Sequence, residues 1–443
     1  MSDDCFYVFS PAPALPGMTP EEYVRELNLG DFNAYAPENA DPRVAALYEK
    51  RSVSAPRASD QAEFRPSAVG IAGAGLMGVS IAAAFLGANV KVSLYDSYAS
   101  ALESAKERLI VEYAAQRSRQ GLALDDRGAE REFVAGQVEK LARTIDSVEA
   151  LARLPVVVES IPEKLRLKAK FYRELAKHAD APILLLTNSS SLRVNDLADA
   201  LESEPGANVS RTRFASFHFF HPVARRNLVE IAPCKETAQE TLDAVAALGR
   251  LVRKIPIVVG DGPGLLVNRL LQAYLNESLK ALDYGVEPSR LESVCRRIGM
   301  EGAPLRVVDE IGVDVTLHSG WSFLKAFPDR THNSAALASL MRQGKLGRKT
   351  QEGFYRYGSS LSWADDAQLV YSAAPENRSY ADLTDEELAL KILDSILEEA
   401  KLILDANIVR TYREIDAGLV LALGFPASKG GVCYWGLATR RLA

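Results

Sequence analysis

The stretch from Ser67 to Asp96, "SAVGIAGAGLMGVSIAAAFLGANVKVSLYD", restricts the possible folds more than any other part of the chain. A short apolar run ends in glycines, a helix of small residues follows, and a second apolar run closes the segment. Gly73, Gly75 and Gly78 form G-x-G-x-x-G between a strand and a helix, the context that gives this spacing meaning. One glycine makes the tight turn, one lets the backbone approach a pyrophosphate, and one lets helix and strand pack closely. The phosphates then sit at the helix N-terminus, beside Leu76 and Met77. Asp96 comes 23 residues after Gly73, at the end of the second strand. A carboxylate there accepts from a ribose 2′-hydroxyl and repels a 2′-phosphate, and no arginine directly follows it. NAD is therefore favoured over NADP. FAD, or a packing turn with no ligand, are the alternatives that the glycines alone leave open.

The same alternation continues. "PVVVES" (155–160), "APILLLTNSS" (181–190) and "RTRFASFHFF" (211–220) read as strands with helical segments between them, and a long helix is expected from about 98 to 120. Strands alternating with helices specify an α/β fold with a Rossmann-type, mostly parallel sheet. "IPIVVGDGPG" (255–264) ends this domain, and from Leu265 onward the pattern is helical. Within the helical part, residues 267–286 resemble 389–408 at an offset of 122, which pairs Glu277 with Glu399 and Asp283 with Asp405. This argues for a duplication. The expected organisation is an N-terminal extension and linker (1–66), an NAD-binding domain (67–259) and two tandem all-α C-terminal domains (260–360 and 361–443). In the extension, Thr19-Pro20-Glu21-Glu22 and Asp41-Pro42 signal two helix starts. The extension is expected to wrap on a neighbour, with a fully disordered tail as the alternative. "SEPGAN" (203–208) reads as an inserted loop.

Composition narrows the function. A chain of 443 residues is long enough for two or three domains. A net charge of −6 with interspersed signs lacks the basic footprint of a nucleic-acid binder. No apolar run approaches the ~18–20 residues needed to span a bilayer. The N-terminus has no basic-then-apolar signal pattern. Cys5, Cys234, Cys295 and Cys433 have neither metal-ligand nor disulfide-framework spacing, so no metal is expected. These features point to an intracellular soluble protein, with the cytoplasm favoured and a mitochondrial or peroxisomal matrix as the alternatives.

Ligands of open α/β sheets bind outside the carboxyl ends of the strands. Those ends carry Glu159, then Asn188-Ser189-Ser190-Ser191, then His218. Taken singly, Glu159 reads equally as a cap of the following helix and Asn188 as a turn former; their shared place at strand ends is what raises a role in the cofactor cleft. Period-two alternation places Ser216, His218 and Phe220 on one face of their strand. A hairpin-like pairing of that strand with "NLVEIA" sets Glu230 opposite His218. A carboxylate beside an imidazole fixes its tautomer and stabilises the imidazolium. Such a histidine can take a hydroxyl proton as hydride leaves. From these residues alone, a core histidine satisfied by a core acid is an equal reading.

"VGIAGAGLMG", "NSSSL", "FHFFHP", "NLVEI" and "DGPGLLVNRLL", in this order, resemble the L-3-hydroxyacyl-CoA dehydrogenase family over roughly 67–443. "LGRKTQEGFYRYG" (346–358) and "LGFPASKGG" (423–431) are more specifically similar to the dehydrogenase portion of multifunctional fatty-acid oxidation enzymes. The resemblance implies His218 as catalytic base, Glu230 as its acidic partner, and Ser190 and Asn268 as groups on the substrate's reacting oxygen. It also implies Glu159 at the nicotinamide pocket. An acyl-CoA substrate follows, with a separate hydratase or thiolase as partner and a monomeric or homodimeric state. A dehydrogenase of another β-hydroxy acid and a non-catalytic cofactor-binding scaffold are the alternatives. His221 departs from the family pattern before its proline.

Overall fold

The computed structural model describes residues 7–32, 34–51, 64–201, 208–358, 367–372 and 377–442. They form two compact units. One contains the chain up to Arg51 together with Leu266–Ala443; the other is Ser52–Leu265.

The first unit begins with α1 (Pro20–Leu29) and α2 (Pro42–Tyr48), both started by the expected signals. Thr19 accepts from the Glu22 amide while Glu22 returns to the Thr19 amide, and Gly30 closes α1 in the left-handed conformation. Asp41 accepts from Arg43 N at the start of α2.

The second unit is built on a six-stranded parallel sheet. Its elements are β1 (Ala68–Ala72), α3 (Leu76–Gly87), β2 (Lys91–Tyr95), α4 (Ala99–Arg119), α5 (Arg127–Leu141), β3 (Ala142–Ile145), α6 (Val148–Ala152), β4 (Val156–Glu159), α7 (Leu165–His178), β5 (Leu184–Thr187), α8 (Val194–Asp199) and β6 (Phe214–Ser216). The strand order is β3-β2-β1-β4-β5-β6. The order reverses at β1, so β1 and β4 flank the crevice in which such sheets bind ligands. The central strands are buried apolar runs, as a sheet covered on both faces requires. Edge strand β3 is half-exposed and polar, and the apolar pattern gave no sign of it.

The sequence "RTRFASFHFF" is not one strand. β6 ends at Ser216, and β7 (His218–Phe219) belongs to a separate three-stranded sheet with β8 (Leu228–Ile231) and β9 (Ile255–Val258). The switch occurs at Phe217, whose amide bonds Thr187 O in the large sheet, while Ser216 N bonds Ala232 O. Helix α9 (Gln239–Leu251) connects β8 to β9, which pair in parallel. Residues 202–207, most of the expected inserted loop, lie outside the described residues.

The helical pattern from Leu265 is realised as α10 (Val267–Asp283), α11 (Pro288–Ile298), α12 (Pro304–Ile311), α13 (Val313–Ala326), α14 (Ala335–Arg342), α15 (Asp385–Asp405), α16 (Tyr412–Ala417) and α17 (Val432–Ala438). Both halves of the expected helical region, 260–360 and 361–443, fall from Leu266 onward in one compact unit that also takes in the N-terminal residues. The reason is burial. Leu270, Leu275 and Leu282 of α10 and Ile392, Ile396 and Ile403 of α15 are all buried within this unit. The Ser395 hydroxyl donates to Ala273 O at 3.2 Å, and these residues are 122 apart, the spacing of the repeat. Arg269 of α10 pairs with Glu399 of α15 at 2.6 Å. Equivalent positions meeting across a contact are the mark of a two-fold-like arrangement.

The N-terminal residues are tied to the second half of this unit. Buried Arg413 donates to Asp31 O, Tyr434 donates to Met18 O, and buried Lys429 donates to Tyr7 O and Ser10 O. The linker expected before residue 66 falls largely on 52–63, outside the described residues.

Candidate active site

The glycine turn after β1 is shaped by three different constraints. Gly73 has φ 106°, and a Cβ there would lie 2.4 Å from Ser160 O. A Cβ at Gly78 would lie 1.8 Å from Gly73 O. A Cβ at Gly75 would meet nothing within 4 Å, so that side of the turn faces open space. Leu76 is exposed and Met77 half-buried at the start of α3, whose first amides have no intrahelical partners. Asp96 follows β2; its Oδ2 accepts from Ala74 N at 2.8 Å and its Oδ1 from Tyr98 N at 2.9 Å. The Arg108 guanidinium donates to Ala74 O at 2.7 Å. An open glycine turn, a helix N-terminus and a carboxylate held at the turn's edge fit a dinucleotide's pyrophosphate and ribose.

The two ends of the short sheet bring His218 and Glu230 together. They are register partners across the antiparallel pair β7–β8. His218 Nδ1 lies 2.7 Å from Glu230 Oε2, with Glu230 fully buried and His218 nearly so. The edge of the Phe220 ring packs on the imidazole with centroids 4.7 Å apart. On the other strand face Phe217 and Phe219 pack edge to face, also at 4.7 Å, as the alternation predicts. With Nδ1 donating to the carboxylate, Nε2 is the nitrogen left to accept a proton.

Asn188 braces this arrangement. Its Oδ1 accepts from Phe219 N at 2.8 Å, and its amide donates to Glu159 O at 2.8 Å. The half-buried side chain thus ties the end of β5 to the residue after His218.

Glu159 does not present its carboxylate to a cleft, and this corrects the expectation. The residue is fully buried, and its two oxygens take Lys168 Nζ at 2.6 Å, Ile161 N at 2.8 Å, Thr187 Oγ1 at 2.8 Å and Tyr172 OH at 2.9 Å. Four donors use the acceptor capacity of one carboxylate. Burial, and then the Glu159 charge, push the Tyr172 phenol well above its ordinary range. A buried charge needs such partners, and the lysine meets it from the first turns of α7.

Sequence reasoning missed Glu163. This carboxylate, in the loop before α7, gathers the turn 189–192 after β5. The available signal was its position, four residues past the end of β4 on the ligand-binding edge of the sheet. Lys168 and Tyr172 gave no comparable signal, since only the packing of α7 on the strands brings them to Glu159. Asn268 lies in the first turn of α10, half-buried, in the helical unit. His221 is exposed, and nothing in the structure explains its identity.

A parallel sheet with an open glycine turn, together with a short second sheet that carries a carboxylate-buttressed histidine, defines the framework of a dinucleotide-dependent dehydrogenase. The chain belongs to the 3-hydroxyacyl-CoA dehydrogenase family: residues 68–262 match its NAD binding domain and residues 264–357 its C-terminal domain. The fatty acid oxidation complex subunit alpha of Idiomarina loihiensis is 30% identical over 372 residues, covering 82% of this chain and 49% of that protein. The chain spans about half the length of the curated relatives it matches. The 3-hydroxybutyryl-CoA dehydrogenase structure from Escherichia coli shares the fold with a TM-score of 0.66 at 21% identity, covering 82% of this chain and 90% of that one. The dehydrogenase part of multifunctional enzyme 1 from C. elegans does so with a TM-score of 0.58 at 20% identity, covering 96% and 89%. Among the described residues, no helix is long and apolar enough to cross a membrane, and no group of three or more potential ligands could hold a metal. Cys234, Cys295 and Cys433 are free and buried.

Proposed function

We propose that this chain catalyses the NAD-dependent oxidation of L-3-hydroxyacyl-CoA to 3-ketoacyl-CoA. The observation that carries the reading is the His218–Glu230 pair, 2.7 Å apart at a strand end of an NAD-binding domain. Bound NAD supplies the hydride acceptor. Nε2 of His218 takes the proton of the substrate's 3-hydroxyl. Glu230 keeps the ring oriented and offsets the charge it acquires. Ser190 and Asn268 are assigned to the reacting oxygen, whose position is kept from alcohol to ketone. Gly73, Gly75, Gly78 and Asp96 hold the dinucleotide, with Leu76 and Met77 at the phosphate end. Asn188 acts by fixing the strand that carries His218.

Relatives named as subunits of a fatty acid oxidation complex support an acyl-CoA substrate and, as partner, an enzyme that supplies or consumes it, such as a hydratase or thiolase. The paired helical halves support a monomer. The decisive measurement is acetoacetyl-CoA reduction by NADH with His218→Gln. General base catalysis contributes about 10²–10⁴-fold, so turnover should fall by that factor with NADH still bound. An unchanged rate would remove His218 from the mechanism.

A further inference from the structure

The residue between the first two glycines of the turn after β1 is held at both ends. Ala74 N donates to Asp96 Oδ2 at 2.8 Å, and Ala74 O accepts from Arg108 Nη2 at 2.7 Å. Each peptide unit is planar, so these two bonds orient both of the units that flank Ala74. The second unit joins Ala74 to Gly75, and in a trans unit the N–H points opposite to the C=O. With Ala74 O drawn to Arg108, the Gly75 N–H is directed away from it. Among the described residues no hydrogen bond uses that N–H. Gly75 is also the position where an added Cβ would meet nothing within 4 Å, and it directly precedes α3. A donor left over beside a helix N-terminus suits an anionic oxygen.

Arg108 reaches the turn by running back along its own helix. Nη2 also donates to Ala101 O at 3.0 Å and to Ser104 Oγ at 3.3 Å. These residues lie seven and four positions earlier on the same face of α4, toward which helical side chains tilt. Asp96 Oδ1 meanwhile accepts from Tyr98 N, just before that helix starts. A carboxylate that follows β2 and a guanidinium from α4 thus grip one residue of the glycine turn.

We propose that Arg108 is a positioning residue for the cofactor: by holding Ala74 O it aims the Gly75 N–H at the pyrophosphate of NAD. In this role Arg108 does not touch the dinucleotide and acts through the Ala74–Gly75 peptide. The bond it prepares is charge-assisted, and such bonds are about twice as strong as neutral ones. The proposal rests on the NAD-binding domain and not on which acyl substrate is oxidised.

The test compares Arg108→Met and Arg108→Lys with wild type in the full chain. Affinities for NADH and for ADP-ribose are measured by calorimetry, beside steady-state kinetics with acetoacetyl-CoA and the thermal midpoint without cofactor. A hydrogen bond to a charged group is worth about 10–100-fold in binding, so Arg108→Met should weaken NADH by up to that range. ADP-ribose carries the pyrophosphate without the nicotinamide and should lose the same factor. In the kinetics the loss should fall on KM for NADH rather than on kcat. Arg108→Lys, which keeps a cationic donor on a long side chain, should recover part of the affinity. If Arg108→Met lowers the midpoint but leaves both affinities at the wild-type value, Arg108 only supports the fold and the proposal fails. If NADH is weakened and ADP-ribose is not, the effect does not lie at the pyrophosphate and the proposal fails as well. Should Arg108→Met not fold, Arg108→Gln carries the same comparison with the same deciding outcomes.

Discussion

Nδ1 of His218 and Oε2 of Glu230 lie 2.7 Å apart because β7 and β8 place the two residues directly opposite each other in an antiparallel pair. The carboxylate is fully buried, so its charge is spent on the imidazole rather than on water. Glu230→Gln keeps an acceptor for Nδ1–H but removes the charge that offsets the imidazolium. We expect turnover to fall by roughly 10²–10⁴-fold, the range seen for general base catalysis, with NADH affinity retained. Stopped-flow or steady-state reduction of acetoacetyl-CoA, with NADH binding followed by fluorescence, checks this.

Gly75 and Gly78 separate cofactor binding from folding. A methyl group at Gly75 meets no protein atom within 4 Å, whereas one at Gly78 would press into Gly73 O at 1.8 Å. Gly75→Ala should keep the thermal midpoint and weaken NAD, since the added methyl occupies the space a pyrophosphate needs. Gly78→Ala should lower the midpoint as well. Calorimetry of both variants with and without NAD distinguishes the two effects.

Lys168 neutralises a buried acid. Breaking a buried ion pair by removing one partner typically costs about 3–5 kcal/mol, so Lys168→Met should destabilise by roughly this amount. The double variant Lys168→Met with Glu159→Gln should recover part of it, because the fully buried Glu159 charge is then gone and only the partly exposed Glu163 has lost its ammonium partner. Denaturant midpoints of the three proteins measure the recovery, and its absence would mean that packing rather than charge sets the loss.

Lys429 gives a pH signature. Burial lowers its ammonium from 10.5 to about 8. Between those values the unfolded chain holds a proton that the native chain has released. Native stability therefore rises with pH in this window, by up to about 1.4 kcal/mol per pH unit. Lys429→Met removes the titration. Wild type should accordingly gain on the variant as pH is raised from 8 to 10, and show no such gain from 6 to 7.5. Urea unfolding at these pH values decides, and a constant difference would contradict it. Lys254, also lowered to about 8 by burial, remains in both proteins as an internal control.

The sequence alone determined the elements whose signals are local. The strand–glycine turn–helix unit, the capped starts of α1 and α2, the helical character beyond Leu265 and the 122-residue repeat all rest on spacing and short-range sterics. Even the His218–Glu230 pairing was legible, because strand alternation and a tight reversal leave few registers. Tertiary structure decided what depends on distant partners. Phe217 marks a switch between sheets that no periodicity encodes, since neighbouring residues there bond to different strands. Glu159 turned inward because α7 delivers Lys168 and Tyr172 to it. Glu163 gained its place because the ends of β4 and β5 are adjacent in the sheet. The helical halves merged into one unit because their apolar faces are buried there, as are Tyr23 and Leu47 of the N-terminal segment. Local propensity sets which elements form. Only the closed packing of those elements sets which buried charge meets which donor, because a buried charge is tolerated only where partners from elsewhere in the chain reach it.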